Sequence, residues 1–207
     1  MTQREEREEN MQRVVWAAQA LFIKQGVAAT TISQIAREVR LSEMTIYRYF
    51  QNKGNLVERV WRESLTIFFK EFMEELEREV NDGMTGLEQF GVCMELYIRY
   101  YTQFPEFLNY TREMFVISNQ NMVDGHYSNE KFWSEFYAGI PQPILVTLRK
   151  AQKDGSIRKD VNIYEVYQLF HNIYTGTTIY SMFDQGVDDM DIFRFTKDLL
   201  ISYIKAD

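Results

Sequence analysis

Residues 42–53 gather side chains suited to nucleic acid. They carry the hydroxyls of Ser42 and Thr45, the phenol of Tyr47, the guanidinium of Arg48 and the ammonium of Lys53. Thr31 adds a hydroxyl just upstream. Such groups reach phosphate oxygens and base edges in the major groove. Glu43 and Met44 lie among them; a carboxylate accepts from the N4 amino group of cytosine, and a thioether can touch a thymine methyl. Material for catalysis is scarce. The chain has only His126 and His171, and its one cysteine, Cys93, excludes an intramolecular disulfide or a multi-cysteine metal site. No Gly-rich phosphate loop, clustered metal ligands or nucleophile elbow occurs. These residues predict a protein without enzymatic activity or cofactor, in a reducing, cytoplasmic setting.

Charge is unevenly distributed. The 207 residues carry a net charge of −7, which by itself argues against nucleic acid. Residues 1–9 have a balance of −2, residues 10–53 of +4 and the remaining 154 of −9. A short basic segment joined to a long acidic one suggests two parts with different partners. A DNA-binding domain over 1–54 and a second domain over 55–207 are expected on this basis.

The elements that must position these groups are helical. Gly and Pro together make 13 of 207 residues, about half of ordinary usage, and apolar residues recur at steps of three and four. A first helix carries Val14, Ala17, Ala18, Leu21 and Phe22 and stops at Gly26. Thr31 can cap a second over residues 31–39, and Ser42 a third over 42–50, with a two-residue turn between them. That spacing fits a helix-turn-helix. Asn52-Lys53-Gly54-Asn55 breaks the pattern, and a fourth helix over 55–80 spans about 39 Å at about 1.5 Å per residue. It is long enough to run from one domain into the next. Further helices are expected over 85–103, 105–118, 129–153 (kinked or split by Pro141 and Pro143), 163–183 and 189–205, giving an all-α fold of about nine helices. No stretch approaches the roughly 18 apolar residues of a membrane span, and MTQREEREEN lacks the apolar core of a secretory signal.

Residues 13–57 resemble the DNA-binding domain of the TetR/AcrR family of bacterial transcriptional regulators. The resemblance runs through Ala17-Ala18, Leu21-Phe22, Gly26, Thr30-Thr31-Ile32, Ile35-Ala36, Leu41-Ser42, Thr45-Ile46-Tyr47, Tyr49-Phe50, Lys53 and Leu56. It implies a homodimer, a palindromic double-stranded DNA operator and a divergent C-terminal domain holding a small-molecule inducer. It also places Tyr47 and Lys53 at the family's phosphate-contacting positions. Asp154-Gly155-Ser156-Ile157-Arg158 is similar to a turn found in many members. The chain departs from the pattern at Arg40, where Gly is frequent, and at Glu43-Met44, where a base followed by Gly is frequent. Ser42 is expected to cap its helix, to touch phosphate, or both. The acidic N-terminal tail reads as a solvated helical extension.

The C-terminal part is rich in aromatic residues. Pockets for small molecules are mostly apolar and aromatic, but so are cores, and helical spacing does not separate the two. Tyr leans toward a cavity because its hydroxyl needs a partner. The candidate wall comprises Met94, Tyr97, Tyr101, Tyr110, Met114, Trp133, Tyr137, His171 and Tyr174, suited to a hydrophobic, aromatic or cationic ligand. Dimerisation is expected through the last two helices, with Val166, Phe170, Ile173, Thr177 and Tyr180 on one and Ile192, Phe193, Phe195, Leu199, Leu200, Tyr203 and Ile204 on the other. The leading reading is a repressor released from DNA by a small hydrophobic molecule. The alternative is a DNA-bound protein of the same fold that answers to a protein partner, which a closed, Phe-filled C-terminal core would favour.

Overall fold

A computed structural model describes residues 2–103, 111–113, 142–180 and 188–206. Among them lie eight helices: α1 (Gln3–Gln25), α2 (Ile32–Val39), α3 (Glu43–Phe50), α4 (Lys53–Glu79), α5 (Gly86–Gln103), α6 (Pro143–Asp154), α7 (Ile163–Tyr180) and α8 (Asp189–Ile204). The only β pairing among the described residues is a single bridge between Ile157 and Lys205. Residues 111–113 are helical; the rest of the expected 105–118 helix and the first part of the expected 129–153 helix lie outside the described residues.

The helix ends follow local chemistry. The Thr31 hydroxyl accepts from the Gln34 N–H while the Gln34 amide accepts from the Thr31 N–H, a reciprocal cap on α2. The Ser42 hydroxyl accepts from the Thr45 N–H at 3.1 Å and caps α3. Gly26 ends α1 at φ 84°, where a side chain is disfavoured. One boundary differs from the expectation: α4 begins at Lys53 rather than Asn55. The Asn52 side chain accepts from the Asn55 N–H at 2.8 Å, so an asparagine that reads as a breaker acts as a cap. Pro143 opens α6, where its missing N–H costs nothing.

The described residues form two compact units. Residues 2–67 and 111–113 belong to one; 68–103, 142–180 and 188–206 belong to the other, and α4 contributes to both. In the first, α1, α2 and α3 pack on one another. Val14, Ala18, Phe22, Ile35, Val39, Ile46, Phe50, Leu56 and Val60 are buried there. Arg13 ties α1 to the end of α2 by donating to the Val39 carbonyl at 2.7 Å.

In the second unit α5 packs along α6, and α8 packs on both α5 and α7. Phe72, Phe90, Leu96, Ile144, Leu148, Phe170 and Leu200 lie in its core. The start of α5 is closed by the turn after α6. The Asp154 carboxylate accepts from the Gly86 N–H at 2.6 Å, Ser156 Oγ from the Leu87 N–H at 3.0 Å, and Thr85 Oγ1 from the Glu88 N–H at 3.2 Å. Three N–H groups that a helix leaves open at its start are thereby all satisfied. Bonds from Ser156 and Gly86 hold the Asp154 carboxyl below the usual carboxylate range. The same turn reaches α8: the Arg158 N–H donates to the Ile204 carbonyl, and the Ala206 N–H to the Ser156 carbonyl.

Candidate nucleic-acid interface

Two short amphipathic helices separated by a tight turn set up this surface. The turn depends on Arg40, whose backbone adopts φ 57°, ψ 42° and sends its N–H back to the Ala36 and Arg37 carbonyls. Glycine takes that conformation most readily, and this chain places an arginine there instead. Ile46 and Phe50 then bury one face of α3. The opposite face carries Glu43, Met44, Tyr47 and Arg48, all exposed, with Met44 76% and Tyr47 44% accessible.

The expected site residues divide by environment. Thr31 and Ser42 are exposed but engaged as caps. Thr45, expected on the exposed face, is half-buried, and its hydroxyl lies 2.9 Å from that of Ser42. The Glu43 carboxylate accepts from the Ser33 hydroxyl at 2.6 Å, which ties the first turn of α3 to α2. An acid in a first turn also opposes the partial positive charge of the helix start. Arg48 lies over the Tyr49 ring at 5.6 Å. Arg7 lies over the same ring at 5.8 Å, so the N-terminal extension, which is helical and exposed from residue 3 to residue 9, supplies a cation that its acidic composition obscured.

Lys53 is half-buried at the first position of α4 and donates to the Val27 carbonyl at 2.6 Å. Burial lowers its pKa, and the nearby Glu113 carboxylate raises it. Sequence reasoning missed Glu113, whose carboxylate accepts from the Val27 N–H at 2.5 Å. Neither Val27 nor Glu113 carries a local signal of this pairing, because they are 86 positions apart.

The C-terminal candidates that are described come together around α5 and α7. Tyr97 and Tyr174 rings lie 5.5 Å apart, and Tyr101 and Tyr174 5.9 Å apart. Phe193 stacks on Tyr174 at 5.4 Å and meets Tyr101 edge-on at 4.8 Å. The Tyr101 hydroxyl donates to the Asp189 carboxylate at 2.7 Å. Burial pushes the Tyr174 phenol above its ordinary pKa and the His171 imidazole below its own. Met94, offered as a wall residue, is instead 1% exposed within the core. Tyr97 and Tyr101 are also buried among the packed rings. Tyr110, Met114, Trp133 and Tyr137 lie outside the described residues.

Val166, Phe170, Phe193, Leu200 and Ile204, all expected at a dimer interface, are instead buried within the protomer. Ile163 and Thr178 of α7 are buried with them. The exposed large apolar residues of α7 and α8 are Tyr164, Leu169, Tyr180, Phe195, Leu199 and Tyr203, with Phe195 68% and Tyr203 63% accessible. Among the described residues no group of three His, Cys, Asp or Glu is placed to hold a metal ion, and no helix is long and apolar enough to cross a membrane.

Comparison with known proteins places this geometry. The family described as bacterial regulatory proteins, tetR family, matches residues 15–60. The transcriptional regulator HbdR of Aromatoleum sp. (strain CIB) is 36% identical over 80 residues, which cover 39% of this chain and 31% of the relative. The match thus spans about a third of that protein. The fatty acid metabolism regulator protein of Bacillus subtilis (strain 168) is 20% identical over 193 residues, covering 93% of this chain and 94% of the other. Thermus thermophilus FadR, a TetR-family transcriptional repressor solved with lauroyl-CoA, shares the fold with a TM-score of 0.67 at 16% identity, over 95% of this chain and 96% of that one.

Proposed function

We propose that this chain, which belongs to the TetR family of bacterial regulatory proteins and is a DNA-binding transcriptional regulator, represses transcription from a palindromic operator and is released by a small hydrophobic molecule. The observation that carries DNA binding is the exposed face of α3, with Glu43, Met44, Tyr47 and Arg48 projecting from a helix capped by Ser42 and stapled to α2 through Ser33. We assign DNA binding to residues 1–54 and ligand binding and dimerisation to 55–207. Tyr47 and Lys53 take phosphate, Arg48 takes phosphate or guanine, and Glu43 and Met44 discriminate among bases.

Support for an inducer comes from the clustered phenols of Tyr97, Tyr101 and Tyr174, and from similar proteins, one named as a fatty acid metabolism regulator and one solved with lauroyl-CoA. A homodimer is favoured by the exposed apolar residues Leu169 of α7 and Phe195 and Leu199 of α8. It would set two recognition helices about 34–36 Å apart, one turn of DNA. The ligand must bind the DNA-free state better than the DNA-bound state, with a coupling of about 1–3 kcal/mol.

Selection of bound sites from a random-sequence duplex pool tests the DNA reading, and an enriched two-fold symmetric sequence is expected. Titrations of lauroyl-CoA and of an aromatic cation, each with and without the selected duplex, test induction. Reciprocity requires the duplex to weaken ligand binding by the factor by which ligand weakens DNA binding. Equal dissociation constants in both arms would rule out induction. The packed rings of the α5–α8 core favour the second reading, control by a protein partner, and binding of neither compound would support it.

A further inference from the structure

The turn after α1 is gripped twice. The Val27 carbonyl accepts from the Lys53 ammonium at 2.6 Å, and the Val27 N–H donates to the Glu113 carboxylate at 2.5 Å. One residue therefore joins the lysine at the head of α4 to an acid from the helical stretch 111–113. Gly26 makes room for this contact. Its backbone is at φ 84°, and a Cβ built there would lie 2.6 Å from Glu113 Oε1. A side chain at position 26 would collide with the carboxylate as well as strain the turn.

We propose that Glu113 is a positioning residue for DNA binding: it anchors the Val27 turn on which Lys53 rests, and its negative charge offsets the lysine that faces phosphate. This inference rests on the DNA-binding reading above. A lysine that neutralises a phosphate releases a condensed counterion and makes binding salt-dependent. A carboxylate beside that lysine repels the same phosphate and dampens both effects. The stretch 111–113 thereby acquires a lever on the DNA contact. Withdrawal of Glu113 from the turn would expose the full charge of Lys53, and a firmer seat would mask it.

Glu113→Gln separates anchoring from charge, because the amide oxygen can still accept from the Val27 N–H. The measurement is fluorescence anisotropy with a labelled duplex of about 30 base pairs, titrated between about 50 and 200 mM KCl. Glu113→Gln is expected to bind several-fold more tightly at the lowest salt. Its plot of log K against log salt should steepen by up to about 0.9 per bound protomer. The gain should vanish when Lys53→Ala is added. Glu113→Ala removes the same charge and serves as a second variant, compared by salt slope alone, should the first melt early. An unchanged slope in both variants would overturn the proposal, as would a Glu113→Gln gain that survives Lys53→Ala. Wild-type protein that binds no duplex would defeat the DNA-binding reading and this inference together. Wild-type binding with unaltered Glu113 variants would defeat the inference alone.

Discussion

Arg40 holds a left-handed backbone at φ 57°, where a Cβ atom meets the following carbonyl. Replacing it with glycine relieves about 1–2 kcal/mol of that crowding and restores part of the loss as extra freedom in the unfolded chain, about 0.4–1 kcal/mol. Arg40→Gly is therefore expected to raise the urea midpoint, with a net gain of about 0.5–1 kcal/mol. A fall in the midpoint would mean that the arginine side chain contributes more than its backbone costs. Ser42 is open to a finer test. Ser42→Ala removes the acceptor for the Thr45 N–H and should destabilise α3 by about 0.5–2 kcal/mol. Ser42→Asn keeps a cap. If the asparagine variant retains stability but loses affinity for a selected duplex, the hydroxyl contacts DNA; if both survive, the residue acts as a cap alone.

Among the helices, α5 depends on its neighbour most directly. Gly86 lies so close to α6 that an added Cβ would sit 2.0 Å from the Ala151 backbone nitrogen. Backbone cannot swing aside as a long side chain can, so α5 and α6 would have to separate. Gly86→Ala is expected to cost about 1–3 kcal/mol or more, read as a lower thermal midpoint. The Asp154-Gly155-Ser156 turn reinforces the contact, since it supplies the acceptors for the Gly86 and Leu87 N–H groups. A midpoint unmoved by Gly86→Ala would show that the two helices tolerate a wider spacing.

For the whole chain, pH and concentration offer two tests. Burial holds His171 below its ordinary pKa of 6.5. The unfolded chain then binds a proton at His171 that the folded chain resists. Above about 6.5 the two states carry the same charge there, and stability is unaffected. As pH falls below 6.5 toward the depressed folded value, this group removes stability progressively. The wild type should lose more thermal stability between about pH 7.5 and 5.5 than His171→Gln, and equal losses would show that other groups dominate. Dimerisation through α7 and α8 should give twice the monomer mass by light scattering at micromolar concentration. Phe195→Glu, a change on the exposed side, should shift that mass toward the monomer, and a wild-type monomer would exclude this interface.

What the sequence alone determined is local. Gly26, Thr31 and Ser42 mark helix ends because a cap acts within a few residues of itself, and the apolar spacing of α1 to α3 follows from the period of one helix. The helix-turn-helix and its exposed face were legible for that reason. Tertiary structure decided the partners. That Lys53 rests on Val27, that Glu113 grips the same residue, and that Glu43 bonds to Ser33 depends on which helices meet, not on spacing. The aromatic residues of α5 and α7 show the same limit. Periodicity reports which face of a helix is apolar, and a cavity wall and a packed core need the same face. Only packing distinguishes Met94, sealed in the core, from Tyr174, half-buried against Tyr101 and Phe193, because burial belongs to the assembled helices rather than to any one of them.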